Sequence, residues 1–314
     1  MRCRSSGCGL IAMRKIMQGK AWSKYLLSLP PMAYLLLFFA APTLIMLFAS
    51  FRYPGDYGGL APWVVQDGGQ WKLELTLESW QRLFSTDIYL RLFIKSIGYA
   101  VITTLICMVM AYPLALMIAR SGRKSRDLLL LLVILPFWSN FLVRIYAWMI
   151  IFSPAGALTR MLNAVLELFG MGPITLMYSP TAMIVCLVYV HLPFMVLPLY
   201  ANLEKHDPCL LDAAQDLGAG QWRRFWLITW PLSLPGITAG SILVFIPVLG
   251  MFAIPDLLGG TDGIMIGNVI KQQFMESRDW PFGSVLSMVL TVAAVTVVLL
   301  GSRLSRPRAG MGGA

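Results

Sequence analysis

Charge is scarce in this chain. Asp, Glu, Lys and Arg make up 13% of its 314 residues, where a soluble domain carries about a quarter. That excludes an ordinary solvated surface. Histidine is scarcer still, with only His191 and His206. No His/Glu cluster with metal-ligand spacing exists, and a membrane-embedded hydrolase would need several clustered polar catalysts. No Gly-x-x-x-x-Gly-Lys-Ser/Thr loop occurs, so the chain lacks the backbone cradle for nucleotide phosphates and should not hydrolyse ATP itself. The five cysteines are Cys3, Cys8, Cys107, Cys186 and Cys209. Cys107 and Cys186 lie inside apolar runs, and none falls in a loop assigned below to the outside, so no disulfide framework is expected. Cys3 and Cys8 lack the two further ligands that zinc wants. The first 29 residues contain no acid at all.

What the chain has in abundance is apolar surface, 58% of its residues. Its runs reach the length of about 20 residues that crosses a bilayer. Six can be marked, at 32–51, 96–119, 128–152, 181–202, 227–250 and 282–302. The fold class is therefore an all-α membrane protein with six transmembrane helices. A basic segment, 1–29, precedes a membrane domain over 30–303, and 304–314 forms a short tail. The first run, "MAYLLLFFAAPTLIMLFASF", is longer than the apolar region of a secretory signal, and five more follow. It reads as an uncleaved first helix.

Positive charge sets the orientation. Sixteen of the 25 Lys and Arg residues fall in the N-terminal segment, the 120–127 loop, the 203–226 loop and the tail. Fewer fall in the alternate loops. Both termini are expected in the cytoplasm. The charge lies in short blocks beside the spans and forms no patch or stripe, so lipid is the expected partner and nucleic acid is not. Outside, "LELTLESWQRLF" reads as a short strand and then an amphipathic helix. "IGNVIKQQFMESRDWP" places Ile266, Val269, Ile270 and Phe274 on one helical face. Trp280-Pro281 opens the last span.

The cytoplasmic loop 203–231 is the most ordered-looking connector. Asp207 can cap a helix that begins at Pro208, runs to about 217 and stops at Gly218, which tolerates a left-handed backbone. Leu210, Ala213, Ala214 and Leu217 share one face, and the two alanines keep that face shallow. After "GAG", "QWRRFWLI" leads into the fifth span through Pro231. Such a knob could press into a groove of a cytoplasmic partner, or it could cover its own bundle.

The residues "DAAQDLG" and "ITWP" resemble the EAA loop of ABC importer permease subunits: Glu-Ala-Ala, three residues, Gly, nine residues, Ile, one residue, Leu-Pro. Asp212, Ala213, Ala214, Gly218, Ile228 and Pro231 occupy the matching positions. Asp212 stands for Glu, and Trp230 stands for Leu. "LLVILPFWSNFLVRIYAW", "HLPFMVLPLYANLEK", "ITAGSILVFIPVLGMFAIPDLLGG" and "MIGNVIKQQFMESRDWPFGS" are similar to the spermidine/putrescine-type subunits of that family, over residues 30 to 302. The resemblance implies a type I ABC importer permease fold in a bacterial cytoplasmic (inner) membrane. It implies an ABC ATPase dimer docked on the loop, with ATP hydrolysed there and no cofactor bound by this chain. It also implies a second permease subunit, an extracytoplasmic substrate-binding protein and a polyamine cargo. Iron, a sulfate-like anion or a phosphonate remain as other cargoes, and a stand-alone channel or ion-driven carrier as another class. Carriers usually carry paired inverted repeats, and no convincing internal repeat is visible.

Candidates for the translocation path or gate are Trp138, Arg144, Tyr146, Trp148, Tyr189 and Asp256. A polycation would be met by a carboxylate and aromatic faces. Arg144 lies within a span, where a cation faces the bundle interior or water. It is expected to contact Asp256 or a carbonyl, or to help set the outer gate, and not to bind a cation. Pro193, Pro198, Pro247 and Pro255 are expected to interrupt the fourth and fifth spans.

Overall fold

The computed structural model describes residues 7–55, 57–62, 64–67, 70–73 and 75–304. Cys3 and the tail beyond 304 lie outside the described residues. Backbone in hydrocarbon must bond within its own segment, and the apolar runs are accordingly helical. They are α1 (Gly7–Ala49), α3 (Asp87–Arg120), α4 (Arg123–Ile134) with α5 (Phe141–Phe152), α7 (Pro180–Leu203), α10 (Trp230–Leu249) and α12 (Trp280–Leu304). Among the described residues, six helical stretches are long and apolar enough to cross a membrane. The only sheet among the described residues is a hairpin of β1 (Val64–Asp67) and β2 (Gln70–Leu73), paired antiparallel with Val64 opposite Leu73. The expected strand thus ends where "LELTL" begins. The amphipathic helix follows as α2 (Glu78–Ser85).

The core is the packed trio α3, α7 and α10. Small residues let these helices approach closely. On α3, Ala100, Thr103, Cys107, Ala111 and Ala115 form a buried seam at three- and four-residue spacing. Cys107 Sγ lies 3.7 Å from the Val188 carbonyl oxygen of α7. On α10, Gly236 and Gly240 press against α7. A Cβ at Gly240 would lie 2.6 Å from Met195 Sδ and 3.2 Å from the Met195 carbonyl oxygen, and one at Gly236 would lie 2.7 Å from Asn202 Cβ. Beyond α10, Gly259 keeps the contact: a Cβ there would lie 3.3 Å from Met183 Sδ. α1 packs on α12 at the periphery, and much of its surface is exposed.

The third crossing differs from the single run expected at 128–152. It is built of α4, a 3₁₀ turn at Leu135–Trp138 and α5, which Asn140 restarts by accepting from the Leu142 amide at 2.8 Å. Pro136 has no amide to donate, and Asn140 offers a cap, so the chain breaks and resumes there. The stretch Phe141–Leu168 is also apolar enough to count as a span. Pairing with α7 nevertheless puts the crossing at 123–152. Arg126 bonds Glu204 at the C-terminal end of α7, Phe137 meets Phe194, and Trp148 meets Tyr189 nearer its N-terminal end. The chain then turns at 153–156 into α6 (Ala157–Leu168), an amphipathic helix whose Asn163 clasps the Ile174 backbone by two hydrogen bonds of 2.9 and 3.1 Å.

The prolines also correct an expectation. Pro193, Pro198 and Pro247 sit inside unbroken helices, and only Pro255 opens an irregular turn, the π turn Pro255–Gly259. Close neighbours hold the helices together where a proline leaves a carbonyl unbonded.

Alternate connections gather at opposite ends. At one end Arg126 Nη1 lies 2.5 Å from Glu204 Oε1. At the other, Arg82 pairs with Asp279 at 3.0 Å, the Gly59 amide donates to the Arg278 carbonyl at 2.8 Å, and the Ile266 amide donates to Ser96 Oγ at 2.8 Å. There α11 (Ile266–Met275) tucks into the mouth of the bundle. Ile266 joins Phe93, Phe282, Val285 and Leu286, with Val269 and Ile270 against them. Asp279 also caps the start of α12 by accepting from the Phe282 amide.

Candidate functional site

The 203–231 loop folds as its end signals dictate. α8 (Pro208–Asp216) begins where the Asp207 carboxylate accepts from the Cys209 amide at 2.9 Å, with Pro208 in the first helical position. It ends at Gly218, whose φ of 79° is the left-handed conformation that glycine adopts without strain. The Ala219 amide returns to the Ala214 carbonyl at 2.9 Å and the Gly218 amide to the Gln215 carbonyl at 2.8 Å, the paired bonds of a Schellman termination. Both ends of α8 are therefore satisfied by its own loop. Arg224 Nη1 donates to Gln215 Oε1 at 2.8 Å and ties α8 to α9 (Gln221–Arg224).

Most of the apolar stripe is exposed, while Leu210 also lines a cavity against α3 and α7. Leu217 is 89% exposed, Leu210 and Ala213 are exposed and Ala214 is half-buried. Asp212 and Gly218 are exposed as well. The opposite side carries Leu211, which stands between two cavities of about 360 Å³ each. Leu116 and Arg120 line both. Ile228 lines one of them, and Pro231 starts α10.

Trp230, where the EAA pattern has Leu, faces inward. Its ring lies 5.4 Å from Tyr112 and 5.6 Å from Trp226, next to Phe225. The Tyr112 hydroxyl and Ser233 Oγ of α10 are 3.2 Å apart. The substitution therefore changes how the loop seats on α3, and the largely exposed stripe is untouched. The backbone widens into a π turn at Phe225–Thr229 ahead of Pro231.

The six membrane-path candidates do not converge. Trp148 stacks on Phe152 at 5.0 Å and meets Tyr189 edge-on at 5.3 Å, which is packing between α5 and α7. Trp138 and Tyr146 are exposed. Arg144 does not reach Asp256. Its Cζ sits 5.3 Å from the Phe137 ring and 6.0 Å from the Phe141 ring. Asp256 turns to α11, where Lys271 Nζ lies 2.7 Å from Oδ2 and Asn268 Nδ2 donates to Oδ1. Asn268 Nδ2 also donates to the Phe252 carbonyl at 3.0 Å. The Asp256 carboxylate beside it raises the pKa of Lys271. Asn268 and Lys271 were missed from the sequence. The only signal was that both stand on the polar side of the amphipathic 266–275 stretch.

Comparison with known proteins extends the picture. Residues 111–305 match the family described as "Binding-protein-dependent transport system inner membrane component". The chain is 42% identical over 275 residues to the spermidine/putrescine transport system permease protein PotB of Escherichia coli (strain K12), covering 87% of this chain and 94% of that protein. It is 39% identical over 275 residues to the protein of the same name from Haemophilus influenzae (strain ATCC 51907 / DSM 11121 / KW20 / Rd), covering 87% and 91%. Among solved structures, a chain of a bacterial ABC transporter involved in the import of the acidic polysaccharide alginate superposes with a TM-score of 0.69 at 18% identity, over 95% of this chain and 99% of that one. At that identity the likeness concerns the fold.

Proposed function

Because the chain belongs to the family of binding-protein-dependent transport system inner membrane components, we propose that it is the permease subunit through which an ABC importer brings spermidine and putrescine into a bacterial cytoplasm. The polyamine cargo rests on relatives of that name that match 87% of the chain. Both termini face the cytoplasm, and so does α8. An ATPase dimer receives α8 in a groove and hydrolyses the ATP. A second permease subunit completes the membrane passage, and a binding protein delivers cargo from outside. ATP-driven closure of the ATPases pushes α8, and the bundle turns its opening from inward to outward. Asp212, Ala213, Ala214 and Gly218 form the docking element. Ile228 and Pro231 fix its return into α10.

One observation carries the coupling role: a largely exposed apolar stripe, led by Leu217, on a helix whose two ends are closed by local caps. A shallow stripe of this kind suits a groove, since the alanines let a second backbone approach. Co-purification of the tagged chain with an ATPase, followed by reconstitution, tests the reading. Spermidine with its binding protein should stimulate ATP hydrolysis, and molybdate should not. A chain that purifies alone, with no stimulation in any reconstituted mixture, refutes it.

A further inference from the structure

Arg144 is a half-buried cation within the third crossing. Its neighbours are Phe137, whose ring meets Phe194 of α7 at 5.2 Å, and its charge reaches Cys186 and His191 of the same helix. His191 stands near the midpoint of α7, roughly 15 Å from either helix end at 1.5 Å per residue. Cations at such depth are tolerated where they are paired or meet water. Here Nε is buried with no hydrogen-bond partner, and among the described residues no carboxylate lies within ion-pair distance. The rings of Phe137 and Phe141 satisfy one face of the guanidinium by cation–π attraction, yet a ring offers no acceptor to a guanidinium N–H. The surroundings are open: Trp138 is 75% exposed, Phe194 38% and Phe137 36%.

We infer that this face, built of Phe137, Trp138, Phe141 and Arg144 with Phe194 beside them, is covered by the second permease subunit, and that a carboxylate on that subunit pairs with Arg144 inside the membrane. The inference rests on the reading above that two permease subunits form the passage. Charge selects the occupant. At the level of His191 a lipid phosphate would stand roughly 15 Å away along α7, and an arginine stem reaches only about 6 Å. A polycationic cargo is repelled. A neighbouring subunit can bring an acid to this depth, because pairing with Arg144 offsets the cost of burying either charge alone.

The test uses the complete complex purified from membranes. A photoreactive benzoylphenylalanine replaces Trp138 in one variant and Phe194 in another, both with Arg144 intact. Irradiation should give an adduct that contains the second permease subunit. Adducts with lipid alone, in a preparation that contains that subunit, overturn the inference and leave the transport reading standing. In parallel, Arg144→Met should lower recovery of the second subunit by about tenfold or more, since it strands a buried carboxylate, and Arg144→Lys should keep most of it. Full recovery with Arg144→Met counts against the pairing. Should Arg144→Met fail to accumulate, the photoadducts still decide. A preparation with no second permease subunit, not even another copy of this chain, overturns the transport reading and this inference with it.

Discussion

At Cys209 the cap of α8 becomes chemically measurable. The Asp207 carboxylate accepts from the Cys209 amide, and its hydrogen bond to the thiol and its negative charge both raise the thiol pKa. The thiolate fraction at neutral pH is therefore below that of an ordinary exposed cysteine, and maleimide labelling of Cys209 should be slow and should rise with pH. Asp207→Asn keeps a good capping side chain and removes the charge, so it should speed labelling at fixed pH while α8 stays folded. An unchanged rate would show that the carboxylate does not control the thiol. Gly240 makes a packing test. Gly240→Leu must displace Met195, part of which is backbone. Overpacking of this kind costs about 1–3 kcal/mol, so the variant should show a lower Tm in detergent.

At the scale of elements, α8 and α11 make separate predictions. A bulky charge on the shallow stripe, Ala214→Arg, should abolish both uptake and capture of the ATPase while the chain still inserts, because half-buried Ala214 lies in a loop outside the spans. Intact uptake with intact assembly would defeat the docking role. Between the Pro255–Gly259 turn and α11, the Asp256–Lys271 pair should respond to alkali. The folded-state pKa of Lys271 is raised above the usual 10.5, so its contribution is fully present below that pH and is lost as pH rises through the raised value. The Tm difference between wild type and Lys271→Met should stay constant from neutral pH upward and shrink only above 10.5. These two elements also show what the sequence could and could not reveal. The limits of α8 were readable within a residue or two because Asp207, Pro208 and Gly218 act on their own neighbours. The partner of Asp256 was not readable. It lies on α11, and where an amphipathic helix docks depends on a mouth shaped by α3 and α12. The third span was misread as one rod because hydropathy averages over Pro136 and Asn140, whose local geometry breaks it. The inward turn of the Trp230 ring was not readable either, because its position in the EAA pattern says nothing about which way the ring turns.

For the whole molecule, the decisive quantity is which end faces the cytoplasm. Cys209 is exposed, and Cys107 and Cys186 are buried. In a Cys3→Ser, Cys8→Ser background, an impermeant maleimide should label inverted vesicles at Cys209 and leave right-side-out cells unlabelled. Labelling from outside would reverse the orientation, and with it the role given to α8.

The close contacts between α7 and α10 bear on how force would travel. Asn202 faces Gly236 near the loop, Met195 faces Gly240 farther along, and Met183 faces Gly259 at the opposite end. The two rods thus touch closely at two points, α7 meets the turn beyond α10 at a third, and the connector that carries α8 joins the rods at one end. A thrust on that connector has no slack to take up by prying them apart. It must swing both together as a single beam, so a small displacement inside arrives as a lateral sweep at the far rim.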